Sequence, residues 1–83
     1  MQNKLFVGSL PESLTSEGLK ELFTPFGEIT EAIVITDKNT KVSKRFGFVT
    51  YATQAEAEEA IKNMDQKLME GKNILVTFSK PTA

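Results

Sequence analysis

The chain has 83 residues and a net charge of -1, enough for one hydrophobic core and no more, so a single domain is expected over residues 1–83 with its core at about 4–79. An apolar share of 40% and a charged share of 25% are ordinary globular values, and no run approaches the roughly 20 apolar residues of a membrane span. With neither Cys nor His in the chain, disulfides, thiolate or imidazole metal sites and Cys- or His-based catalysis are excluded, so neither metal, cofactor nor enzymatic activity is expected.

Residues 1–4 lack the charged-then-apolar layout of a secretory signal; the expected location is intracellular and cytoplasmic, with nucleus and organelles left open. Over residues 4–9, Leu5 and Val7 alternate with Lys4 and Phe6, which is strand spacing. Thr15 then stands as a helix N-cap between Leu14 and Leu19, which form a hydrophobic staple, and Leu19, Leu22 and Phe23 make the buried stripe of a first helix. That helix is expected to stop near Thr24, because the residue before Pro25 avoids helical angles. Gly18 weakens it by about 1 kcal/mol relative to alanine and takes the place of the Glu that would complete a capping box.

Residues 29–36 are rich in β-branched types and read as a second strand, and residues 37–43 as a charged loop. A third strand at residues 44–51 puts Phe46 and Phe48 on one face, Val49 and Tyr51 on the other. Thr53 and Glu56 make a capping box for a second helix, whose buried stripe is Ala57, Ala60, Ile61 and Met64. A polar connection containing Gly71 leads to a fourth strand at residues 73–79, with Ile74, Val76 and Phe78 sharing a face, and residues 80–83 begin a tail.

Strand, helix, strand, strand, helix, strand is the split βαβ or ferredoxin-like order. The fold class is therefore α+β: a four-stranded antiparallel sheet with both helices on one face, because right-handed crossovers bring them to the same side. The other face is left open. Opposite Leu5, Val7, Val49 and Tyr51, the first and third strands carry Phe6, Phe46 and Phe48. Leaving three rings at water forgoes about 1.5–3 kcal/mol of burial each, and a contiguous apolar patch marks a binding surface. As core residues they would demand a second buried face from strands that already have one. Charge is segregated as well. Glu17, Glu21, Glu56, Glu58 and Glu59 fall in the helical stretches, whereas Lys38, Lys41, Lys44 and Arg45 fall together around the start of the third strand. Rings flanked by cations suit a nucleobase and its phosphate.

Residues 5–10, Leu-Phe-Val-Gly-Ser-Leu, resemble the hexamer of the RNA recognition motif family, and residues 44–51, Lys-Arg-Phe-Gly-Phe-Val-Thr-Tyr, resemble its octamer. Both stand in the family's order with a helix and a strand between and after them, so the resemblance covers nearly the whole chain. It implies a single-stranded RNA partner, with Phe6 and Phe48 stacking on successive bases, Phe46 against sugars and Lys44 on a phosphate. One octamer position departs: Arg45 stands where Gly is usual, which questions the backbone there and adds a cation. Lys4 shares the parity of Phe6 and is a further phosphate candidate. Ile35, with Ile33, extends the platform if Ala32 and Val34 face the helices; Thr77 and Ser79, with Leu75, extend it on the fourth strand, and Lys80 completes the candidate set.

Two other readings stay open: a protein-interaction module using the acidic helix face, and single-stranded DNA in place of RNA. An enzyme on this fold would need a phosphate-cradling loop with arginine, which residues 9–13 do not supply. The chain is expected to be monomeric, whether it is a complete short protein or an excised domain.

Overall fold

The structure, a computed structural model, describes residues 3–69 and 71–79. In chain order its elements are β1 (Lys4–Gly8), α1 (Ser16–Phe23), a 3-10 turn (Thr24–Phe26), β2 (Ile29–Thr36), β3 (Ser43–Tyr51), α2 (Gln54–Met64), β4 (Leu68–Met69), β5 (Lys72–Asn73) and β6 (Leu75–Phe78). The four longer strands form one antiparallel sheet in the order β2-β3-β1-β6, and β4 and β5 pair as a separate small hairpin.

Period-two alternation sorts the sheet into two faces. Leu5, Val7, Val34, Val49, Tyr51 and Val76 are buried with Leu19 and Phe23 of α1 and Ala57, Ala60 and Met64 of α2, while Leu10 and Ile74 join the same core. Both helices therefore cover one face, as the strand order requires. Their starts are fixed locally: the Thr15 hydroxyl accepts from the Gly18 N–H at 3.1 Å, and Thr53 and Glu56 exchange side-chain-to-backbone bonds at 3.3 and 3.1 Å. Glu56 also accepts the Glu28 N–H at 2.8 Å, tying the entry to β2 onto the start of α2. Deep in the core, the Tyr51 hydroxyl donates to the Phe23 carbonyl at 2.6 Å.

Both sheet edges are partly satisfied by neighbouring segments, which blunts them against strand addition. On β2 the Val34 N–H donates to Ser16 Oγ at 2.9 Å; on β6 the Val76 N–H donates to Asp65 Oδ1 at 3.0 Å. These neighbours also explain where the strands depart from expectation. A single fourth strand at residues 73–79 is corrected to a hairpin followed by a shorter strand. Ile74 exchanges backbone bonds with Gln66 and Lys67 at 2.8 and 3.0 Å, and Asn73 pairs with Leu68, so the chain joins the sheet only at Leu75. The first strand ends at Gly8, and the next residue, Ser9, leaves the extended region with a φ of 57°.

Candidate functional site

Phe6 and Phe48 face each other across β1 and β3, and Ile33 and Thr77 continue that rung onto β2 and β6. The three rings lie together on the face away from the helices. Phe6 and Phe46 have centroids 5.7 Å apart with planes inclined by 30°, whereas Phe48 stands edge-on to both, at 5.9 Å from Phe6 and 6.2 Å from Phe46. Each ring is half-buried, and each lies against the other two. The three rings thus form one cluster that is partly exposed on the face away from the helices.

Two glycines that the motif reading passed over set this geometry. A Cβ on Gly8 would lie 2.9 Å from Phe6 Cε1, so only a residue without a side chain lets that ring lie along β1. A Cβ on Gly47 would strike the Ile33 carbonyl oxygen and come within 3.1 Å of Val34 Cα, so β2 and β3 approach closely because residue 47 is Gly. The signal was present in the sequence only as an interruption of the apolar alternation. Distinguishing a close approach from a bulge required the register.

The cations surround the rings unevenly. Lys4 Nζ lies over the Phe48 ring, 4.9 Å from its centroid, a contact worth about 0.5–1 kcal/mol at an exposed site. Lys44 is exposed at the beginning of β3. Arg45 is exposed beside it and holds a φ of 66°, in the left-handed region where a Gly would be at ease. Its backbone is nonetheless pinned: the N–H donates to Ser43 Oγ at 3.0 Å and the carbonyl accepts the Leu10 N–H at 2.9 Å. The β2–β3 pairing passes from Val34–Gly47 to Thr36–Ser43, so three residues of β3 oppose one of β2, and Arg45 is the middle of the three. Its guanidinium reaches Glu12 Oε2 at 3.4 Å, with both side chains about half exposed.

The bend before β3 is built by Asp37, whose carboxylate accepts the Asn39 and Thr40 N–H groups at 2.8 and 3.1 Å. Those bonds, that from Thr40 foremost, hold its carboxyl below the usual carboxylate range.

Of the flanking candidates, Ile35 is half-buried, whereas Ile33 is 42% exposed and stands directly beside Phe48. Ile33 is therefore the better-placed apolar neighbour on β2, and Leu75, 45% exposed opposite Gly8, is its counterpart on β6. Thr77 is exposed beside Phe6, and Ser79 donates its N–H to the Lys4 carbonyl at 2.8 Å. Lys80 lies outside the described residues.

Known proteins resemble the chain in both sequence and fold. The chain matches the RNA recognition motif family over residues 5–75. It is 46% identical over 79 residues to Glycine-rich RNA-binding protein 4, mitochondrial, of Arabidopsis thaliana, covering 95% of this chain and 58% of that protein. The crystal structure of RNA Binding Protein PG1 superimposes with a TM-score of 0.90 at 30% identity, covering 96% of either chain. An SXL-lethal protein/RNA complex superimposes with a TM-score of 0.94 at 25% identity, covering 100% of this chain and 50% of that one. The chain spans about half the length of the curated relatives it matches. Two motif strands paired at the centre of an open sheet, their rings clustered on its uncovered face, and a match across most of the sequence lead to one conclusion: the chain belongs to the RNA recognition motif family.

Proposed function

We propose that this domain binds single-stranded RNA by stacking bases on Phe6 and Phe48, with Phe46 against the sugars and Lys4, Lys44 and Arg45 supplying positive charge for phosphates. The observation that carries the reading is the ring cluster on the face away from both helices. An unpaired base offers a π-face that fits it, and each stacked base contributes about 1–3 kcal/mol by alanine substitution. The names of the relatives support binding rather than catalysis. A mitochondrial name among them supports an intracellular location that includes organelles. Among the described residues no helix is long and apolar enough to cross a membrane. Ile33 and Leu75 widen the surface on its two sides, and Thr77 and Ser79 add hydroxyls at the β6 edge.

The test replaces Phe46 and Phe48 together by Ala and titrates parent and variant with short unpaired RNAs. Binding is expected to fall at least tenfold while circular dichroism and the unfolding transition stay cooperative, since neither ring belongs to the helix-covered core. Equal binding by the two proteins would remove the platform from the account.

A further inference from the structure

The outward side chains of the sheet fall into rungs of different chemistry. Beside the rung of Ile33, Phe48, Phe6 and Thr77 runs a second one in which Glu31 pairs with Thr50 and Thr50 with Lys4. Glu31 is thus a diagonal neighbour of Phe48 on the open face, a separation that long side chains span. It is exposed, and among the described residues its carboxylate has neither an ion-pair partner nor a hydrogen-bond donor. A free carboxylate on a surface that otherwise offers rings and cations is unfavourable for a polyanion at every point except where a donor-bearing group meets it.

Such a group is narrowly defined. A carboxylate only accepts, and its two oxygens take two parallel N–H bonds. On the edge that single-stranded RNA leaves open, guanine alone presents adjacent donors, N1–H and the N2 amino group. Adenine and cytosine each set one amino group beside an acceptor nitrogen, and uracil sets one N–H between two carbonyl oxygens, so each brings an acceptor towards the carboxylate. The other side of the same ring agrees with this choice. Lys4 Nζ, now 4.9 Å from the Phe48 centroid, occupies the place of a stacked base. Once displaced it remains on the β1 side, opposite Glu31, where guanine's O6 and N7 acceptors suit an ammonium. Negative charge at one side of the ring and positive at the other match the polarity of that base and oppose the reverse orientation.

Resting on the RNA-binding reading above, we infer that Phe48 is a guanine-selective position: the base stacked there is read on its N1–H and N2 amino edge by Glu31, with Lys4 at O6 and N7.

The experiment compares short uridine-rich RNAs that carry a single guanosine, inosine or adenosine at one position, titrated against the parent domain and Glu31→Gln. Inosine keeps N1–H, O6 and N7 and lacks only the N2 amino group. The parent is expected to bind the guanosine strand about tenfold more tightly than the inosine or adenosine strands, the effect of one charge-assisted hydrogen bond. Glu31→Gln is expected to bind guanosine and inosine strands alike and to lose none of its affinity for the all-uridine strand. Equal binding of guanosine and inosine by the parent overturns the inference without needing the variant, and so does undiminished guanosine preference in Glu31→Gln. If the parent binds none of these strands, the RNA-binding reading fails and the inference with it, whereas binding without discrimination leaves the reading standing and removes the inference alone.

Discussion

Phe6 and Phe48 are register partners on adjacent strands, yet their rings meet edge to face, with planes inclined by 67° and centroids 5.9 Å apart. Directly opposite side chains in a flat ladder would stand side by side. Here the Phe6 ring instead lies along its own strand towards residue 8, where the missing Cβ leaves room, and comes to stack on Phe46 at 5.7 Å. The platform's shape is therefore set by a glycine as much as by the rings.

Gly8→Ala should separate platform geometry from stability. The new methyl group would meet the end of the Phe6 ring, which can swing outward, and Leu75 Cβ is at 3.9 Å, an ordinary contact. The unfolding free energy is expected to stay within about 1 kcal/mol of the parent, below the usual cost of overpacking a core. RNA affinity is expected to fall by an amount comparable with losing the Phe6 stack, about 1–3 kcal/mol. Parallel denaturant melts and RNA titrations of the one variant check both.

Tyr51 offers a core prediction. Its hydroxyl is fully buried and donates to Phe23 at the end of α1; burial, with the Glu56 charge adding to it, pushes the phenol well above its ordinary value of 10.0. A group whose protonated form the fold prefers stabilises fully below the unfolded pKa, and that contribution is lost as pH rises through and beyond it. Because Tyr51 is the chain's one tyrosine, phenolate absorbance should appear together with unfolding rather than before it. Tyr51→Phe should remove the alkaline dependence and cost about 0.5–1.5 kcal/mol, the net worth of a buried hydrogen bond. Phenolate absorbance developing while the fold persists would contradict the buried bond.

Much of this architecture was legible because it is written in short periods. Alternation assigned Leu5, Val7, Val49 and Tyr51 to one face and the three Phe rings to the other, and the Thr53 and Glu56 pair announced α2. What could not be read depends on which residues pair, and no short period announces that. The hairpin at Leu68–Met69 and Lys72–Asn73 has strands of two residues, too short to carry a period, and Ile74 leaves the sheet's ladder because Gln66 and Lys67 claim its backbone groups. Glu31 shares the parity of Ile33 and Ile35, which alternation alone shows. Its place beside Phe48 required the register with β3.

Acid should loosen the junction between β2 and α2. The Glu28 N–H, and after it the Thr53 side chain, hold the Glu56 carboxyl below its ordinary 4.5. The fold thus favours the ionised form: its contribution is fully present above about pH 4.5, the ordinary value, and is lost as pH falls through the lowered folded one. Asp37 adds the same sign through the bend before β3. Glu56→Gln is expected to be less stable than the parent at neutral pH and to flatten the acid limb of its stability profile. Thr53→Ala, which removes the other half of the capping box, should cost about 0.5–2 kcal/mol. Urea melts between neutral pH and pH 3 test the two variants, and an acid limb unchanged in Glu56→Gln would show that another carboxyl governs it.

Arg45 sets stability against affinity at one position. A non-glycine residue in the left-handed region costs about 1–2 kcal/mol, and a glycine there loses about 0.5–1 kcal/mol of that advantage to its freer unfolded chain. The bonds of residue 45 to Ser43 and Leu10 involve backbone atoms that a glycine keeps. The ion pair to Glu12 is single, 3.4 Å long and half exposed, so its loss costs a few tenths of a kcal/mol by the usual scale of surface pairs. Arg45→Gly should therefore be slightly more stable than the parent, by about 0.5 kcal/mol. The same change removes a cation at the mouth of the platform. If the guanidinium leaves Glu12 for an RNA phosphate, the variant's affinity falls and the slope of log K against log salt becomes shallower by about 0.7, the share of one neutralised phosphate on a single strand. Arg45→Lys serves as the control, since it keeps both the charge and the strained backbone and should match the parent in each measurement. A less stable Arg45→Gly would refute the strain assigned to residue 45, and an unchanged salt slope would place its guanidinium off the RNA.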